Sequence, residues 1–192
     1  MSVFKSFINK RNSKYTIIAI TLIAIIIFYV SVINKQAYGN DKESIIEVIQ
    51  SIDGYNSELI EILEIKDIYN NRIVSFLLHD SPAFIQFYKN SAGNYEWNHV
   101  EKKEGKSFAE FIPNLRDEKS DVLRMLIVSN QYNEIAQMEL SVNERIFKEE
   151  FDVNQSNVSW INIAKTNGDE DSLRFDFKYF DVDGNPIQEG FE

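Results

Sequence analysis

The chain has 192 residues, 30 acidic against 20 basic side chains, and no cysteine. The missing cysteines exclude disulfides, thiolate metal sites, cysteine nucleophiles and attachment of a lipid to a cysteine. The acidity argues against nucleic acid as a partner, because phosphate backbones are held by surplus Lys and Arg.

That charge is unevenly spread. Residues 1–33 hold Lys5, Lys10, Arg11 and Lys14 and no acid, so they carry +4 and the remaining 159 residues carry −14. Between these parts lies Tyr15–Ile33, YTIIAITLIAIIIFYVSVI, 19 residues without a charge. As a helix it would be roughly 28 Å long, which matches the hydrocarbon core of a bilayer. A lone segment in lipid must satisfy its backbone internally, so a spanning helix is expected over 15–33. Basic residues cluster before the run, while Lys35 and Lys42 after it stand beside Asp41 and Glu43. The positive-inside rule then leaves 1–14 as a cytoplasmic tail and puts the acidic part outside the cell membrane. A cleaved signal peptide is the competing reading. The apolar run is long for one, and no small-x-small site follows it, so a retained signal anchor is expected.

Residues 34–40 read as a short polar linker. At Asn40-Asp41-Lys42-Glu43 a helix can begin, with Asn40 as cap and Glu43 reaching back to it. Ile45, Ile46, Val48, Ile49 and Ile52 then recur at helical spacing and Gly54 can end the element, which predicts a helix over 41–53. Leu59–Tyr69 suits a helix or a strand; its β-branched content favours a strand. From Arg72 onward the pattern is strand and turn. Ile73–Leu78 is apolar nearly throughout, as in a strand buried on both faces. Asp80-Ser81-Pro82 breaks it, Ala83–Lys89 follows, and Asn90–Asn94 is a turn. In Tyr95–Glu101 the alternation places Tyr95, Trp97 and His99 on one face. Together these strands form an antiparallel meander. Ser107–Ile112 reads as a further strand.

The polar stretch 113–120 is the expected internal boundary, dividing 41–116, a helix-plus-meander lobe, from 117–192. Five strands follow it, at Val122–Ser129, Glu134–Val142, Arg145–Phe151, Val158–Ala164 and Ser172–Asp181. Ala136, Met138, Leu140 and Val142 share a face, and so do Leu173, Phe175, Phe177 and Tyr179. Asn167-Gly168 and Asp183-Gly184 are turn signals. The expected fold class is therefore α+β and mainly antiparallel β: a transmembrane helix, one helix on a β-meander, and a small β-sandwich-like lobe.

Candidate chemistry is sparse. Asp181-Val182-Asp183-Gly184-Asn185 resembles the opening of a calcium loop, but its glycine is fourth rather than sixth, and aspartates favour such turns for local reasons. Asp169-Glu170-Asp171 is a run of acids beside a turn. His79 and His99 fall on neighbouring strands with no third histidine or cysteine to complete a zinc site. Trp97 and Trp160 read as core or half-core residues rather than as sugar-stacking platforms. Serine-nucleophile, phosphate-loop and zinc-protease motifs are absent. No catalytic, cofactor-binding or metal-binding residue is therefore assigned, and no cofactor is expected.

Ser51-Ile52-Asp53-Gly54-Tyr55, Ile73-Val74-Ser75-Phe76, Asn94-Tyr95-Glu96-Trp97 and Tyr179–Asn185, behind a Lys-rich start and an Ile-rich anchor, carry a resemblance. The chain resembles small single-pass exported proteins of low-GC Gram-positive bacteria. The resemblance implies location and brings no catalytic residues with it. The functional expectation is a non-catalytic interaction or accessory module at the cell envelope, with an envelope protein or cell-wall component as partner. The alternative is an envelope-polymer hydrolase using an Asp/Glu pair.

Overall fold

In the computed structural model the described residues are 15, 18, 20–26, 37–56, 59–115, 122–143, 145–164 and 173–187. Tyr38–Glu192 forms one compact unit and Met1–Ala37 another. Within the expected spanning segment, residues 15, 18 and 20–26 are helical and exposed; the remainder lies outside the described residues. Among the described residues no helix is long and apolar enough to cross a membrane. Asn167-Gly168, Asp169–Asp171 and most of the expected boundary at 113–120 also lie outside them.

Helix α1 spans Lys42–Ser51 and buries Ile45, Val48 and Ile49. It begins one residue later than expected. Asp41, not Asn40, is the cap, accepting from the Ser44 N–H at 2.8 Å while the Asp41 N–H donates to Ser44 Oγ at 3.0 Å. Asn40 is engaged elsewhere, as described below.

Strands β1 (Ile60–Ile68), β2 (Asn71–Leu78), β3 (Ser81–Lys89) and β4 (Tyr95–Lys102) form the meander, ordered 1-2-3-4 and antiparallel. Bulges explain where the alternation misleads. In β1, Ile62 pairs with Phe76 and Glu64 with Ser75, so Leu63 is an extra residue that shifts the alternation by one. This is why Leu59–Tyr69 shows no clean strand alternation although it forms a strand. In β4, Phe87 pairs with Trp97 and Gln86 with His99, leaving Asn98 extra. Gln86 and Phe87 are neighbours on β3 and point to opposite faces. Trp97 and His99 therefore do too, which corrects the expectation that they share one.

The seven remaining strands make two sheets. β5 (Phe108–Phe111), β6 (Val122–Ser129) and β9 (Asn157–Ala164) pair in the order 5-6-9. β7 (Gln137–Val142), β8 (Arg145–Glu150), β10 (Phe175–Phe180) and β11 (Pro186–Ile187) pair in the order 11-10-7-8. Strand β5, expected beside the meander, instead pairs with β6 across the polar stretch 113–120.

The three-stranded sheet is a middle layer. From one face Phe108, Met125, Ile127, Ile161 and Ile163 join Met138, Leu140, Val142 and Tyr179 of the four-stranded C-terminal sheet. From the other face Ala109, Phe111, Leu126 and Val128 join Ile73, Leu77 and Phe84 of the meander. These two sheets share a core, and β5 brings to it a strand from outside the expected 117–192 lobe. The meander's opposite face carries Val74, Phe76, Ile85 and Phe87, all fully buried. Gly39, three residues before α1, lies against Phe87 and so leads the helix onto that face.

Two polar atoms buried on the meander's inner face, Ser75 Oγ and Gln86 Oε1, have no hydrogen-bond partner among the described residues. A buried hydroxyl without a partner costs about 1–3 kcal/mol in desolvation. Ser75→Ala should therefore stabilise the protein by about 1 kcal/mol, seen as a higher urea midpoint at unchanged slope. A lower midpoint would show that the hydroxyl is satisfied in solution.

Candidate functional site

The residues singled out in the sequence are not brought together. His79 and Asp80 form the β2–β3 turn with φ of 49° and 64°, the left-handed pair that a two-residue hairpin requires. His99 pairs with Gln86, five residues along β3 from Ser81, which is about 17 Å of strand. Its Nε2 lies 3.7 Å from Glu101 and its ring 5.5 Å from Phe84. Trp160 Nε1 donates to Glu64 Oε2 at 2.6 Å, and Lys66 Nζ sits 4.7 Å from the ring centroid, so Trp160 ties β9 to β1. Trp97, by contrast, is exposed on β4, which corrects its reading as a core residue.

The Asp181 turn is a closed hydrogen-bond unit. Asp181 Oδ1 accepts from the N–H of Asp183 (2.9 Å) and of Asn185 (2.8 Å), and Oδ2 accepts from Asn185 Nδ2 (3.0 Å). These contacts, the Asn185 amide foremost, hold its carboxyl below the usual range. The carboxylate serves the turn, as the local-turn reading expects. Among the described residues no three His, Asp or Glu side chains gather as a metal site.

Two surface depressions stand out. Leu59, Ile60, Glu61, Leu77, His79 and Asp80 line one of about 270 Å³ at the β2–β3 end of the meander. Ser141, Asn143, Arg174 and Asp176 line the other, of about 430 Å³, on the C-terminal sheet. Asn143 Oδ1 accepts from the Arg174 N–H there at 3.0 Å. Ser141 faces Asp176 across the β7–β10 pair, and no histidine lines this depression to act as base. Both depressions are open, and among the described residues neither encloses a paired nucleophile and base.

The most elaborate polar arrangement lies at the opposite end of the meander and holds the linker. Arg72 Nε and Nη2 donate to both oxygens of Asp67 at 2.7 and 2.8 Å, a two-pronged pair. Its Nη1 donates to the carbonyls of Gly39 (2.9 Å) and Asn40 (2.8 Å). Beneath the guanidinium lies the Tyr95 ring, 4.0 Å away, and the Tyr95 hydroxyl donates to Asp67 at 3.1 Å. Gly39 N–H donates to the Tyr95 carbonyl at 2.8 Å, Asn40 Oδ1 accepts from the Tyr95 N–H at 3.0 Å, and Asn40 Nδ2 donates to Asn94 at 2.9 Å. This latch was not read from the sequence. Its one local signal is Gly39 beside Asn40 in front of the helix. A Cβ at Gly39 would lie 2.3 Å from the Phe87 ring, so only glycine lets the linker lie down there.

No family model, no curated protein and no solved structure matches the chain.

The latch makes two predictions. Gly39→Ala must push against a fully buried Phe87 and should cost about 1–3 kcal/mol, measured by thermal unfolding of the full chain; an unchanged melting temperature would mean that the linker is not docked. Hydrogen bonds from Arg72 hold the Asp67 carboxyl below the usual range. A depressed carboxylate stabilises above its unfolded value of about 3.9, and that stability is lost as pH falls through the folded value. Asp67→Asn should thus be less stable at neutral pH and lose less than the wild type on acidification below about pH 4. Parallel pH–stability curves for the two would contradict this.

Proposed function

We propose that this chain is a single-pass signal-anchor protein whose acidic domain works outside the cell membrane as a non-catalytic interaction or accessory module of the envelope. One observation carries the reading. Residues 20–26 make two consecutive helical turns, and Ile20, Leu22, Ile23, Ile25 and Ile26 are all more than half exposed. They point around the whole helix rather than along one stripe. A helix that is apolar on every side belongs in lipid or in a core. The step from +4 to −14 across this segment supports the orientation. An interaction role is supported by the domain's build: stiff stacked sheets with open depressions, and isolated exposed Leu59, Trp97, Tyr132 and Ile146 on the surface.

The chain has no cysteine, so single-cysteine variants report position cleanly. In intact cells a membrane-impermeant thiol reagent should label Glu104→Cys, whereas Ser2→Cys should react only after the membrane is opened. The reverse pattern would overturn the topology. Labelling of both, with the protein in the medium, would instead mean release.

A further inference from the structure

We infer that the outer edge of strand β8 pairs with a second copy of this chain, the two β8 strands joining antiparallel about a two-fold axis at Phe147. The anchored reading above is not needed for this. Among the described residues β8 pairs with β7 alone, and the other sheet edges are β1, β4, β5, β9 and β11. An open edge invites another strand, and bulges, short length or occupied backbone groups blunt it. β1 and β4 carry bulges. β5 has four residues and β11 two. On β9 the Asn157 Oδ1 accepts from the Val158 N–H at 2.7 Å, and Arg145 donates to the Ala164 carbonyl. β8 keeps six residues in unbroken register, with Ile146 on it 65% exposed.

The backbone shows which groups this edge offers. The Phe151 N–H donates to the Ala136 carbonyl at 2.8 Å, in the same register that pairs Glu149 with Met138 and Phe147 with Leu140. Bonded and non-bonded pairs alternate along an antiparallel ladder. Arg145, Phe147 and Glu149 therefore turn their backbone groups toward β7, while Ile146, Lys148 and Glu150 turn theirs outward. A two-fold axis normal to the sheet keeps each side chain on its own face, so odd residues meet odd and even meet even. With Phe147 opposite its own copy, Ile146 meets Lys148 on either side of the axis, and these are residues whose N–H and C=O point outward. Arg145 then meets Glu149, also twice.

The side chains agree with that register. Arg145, Phe147 and Glu149 are all half-buried on one face, and Glu149 has no ion pair or hydrogen bond among the described residues. Arg145 spends one donor on Ala164, and its guanidinium carries five. The Lys148 stem covers the exposed Ile146 of the other copy while its Nζ stays with Glu139. Sliding the pairing by two residues one way sets Lys148 against Lys148 and Phe147 against Glu149, and like charges directly opposite are unfavourable. Sliding it the other way sets Arg145 against Phe147. β8 holds Arg145, Lys148, Glu149 and Glu150, so the seam is neutral in a part of the chain that carries −14.

The test is sedimentation of the full chain in mild detergent over a range of protein concentrations. The wild type should pass from monomer to dimer as concentration rises. Glu149→Arg should weaken the dimer about tenfold, and adding Arg145→Glu to it should restore the wild-type constant, a rescue that damage to the fold does not produce. Lys148→Pro removes an N–H that only the seam uses, so it should leave a folded monomer. A wild type that stays monomeric, a dimer that survives Lys148→Pro, or a charge swap that fails to rescue overturns the proposal. Cross-linking reads the register, because the chain has no cysteine of its own. Facing Cα atoms of a non-bonded pair lie about 4.5 Å apart, within the range that a disulfide spans. Under mild oxidation Phe147→Cys should form a disulfide dimer several-fold faster than Ile146→Cys or Tyr132→Cys. Equal rates at the three positions, or the fastest at Ile146→Cys, also overturn it.

Discussion

Burial of the three-stranded sheet on both faces is the constraint on which the rest of the domain depends. Strand β6 alternates Met125 and Ile127 toward the C-terminal sheet with Leu126 and Val128 toward the meander. A strand sealed on both sides has no polar face, and Val122–Ser129 is correspondingly a nearly unbroken apolar run. The same requirement shapes β2, whose inner residues pack on the middle sheet and whose outer residues lie on the face to which Gly39 leads the helix. An acidic surface and an oily interior are compatible here because the charges sit on the outermost faces. On the C-terminal sheet Lys148 pairs with Glu139, and the bonds from Lys148, with the nearby charge of Lys178, hold the Glu139 carboxyl below its usual value.

The latch is the place where polar chemistry is most concentrated. One guanidinium satisfies a carboxylate and two backbone carbonyls while resting on an aromatic ring. Arginine can do this because its donors lie in a rigid plane, which lysine's point charge does not supply. The result turns the end of a linker into part of the domain.

Much of the candidate chemistry in the sequence dissolves into structure. Asp181 is read correctly as a turn residue, because its partners lie within four positions and an Asx turn is a local event. His79 and His99 are separated because one sits in the β2–β3 turn and the other midway along β4, opposite Gln86. Trp160 serves as a tie through its N–H to Glu64, 96 residues away, a pairing without a local signature. The latch stayed unread for the same reason: Arg72 and Asn40 are 32 positions apart.

By itself the sequence determined the helix, the positions of most strands, the hairpin turns and the uneven charge. Each of these depends on residues a few positions apart: the Asp41–Ser44 cap, the isoleucines at helical spacing, the alternation of Phe175, Phe177 and Tyr179. Only the tertiary structure decided which strands share a sheet, that β5 joins β6, that one sheet is covered twice, and that bulges at Leu63 and Asn98 turn side chains to the other face. A bulge is an inserted residue whose place is chosen by the partner strand's register, and layer order is chosen by how apolar faces from distant segments fit. Those energies lie between residues far apart in the chain.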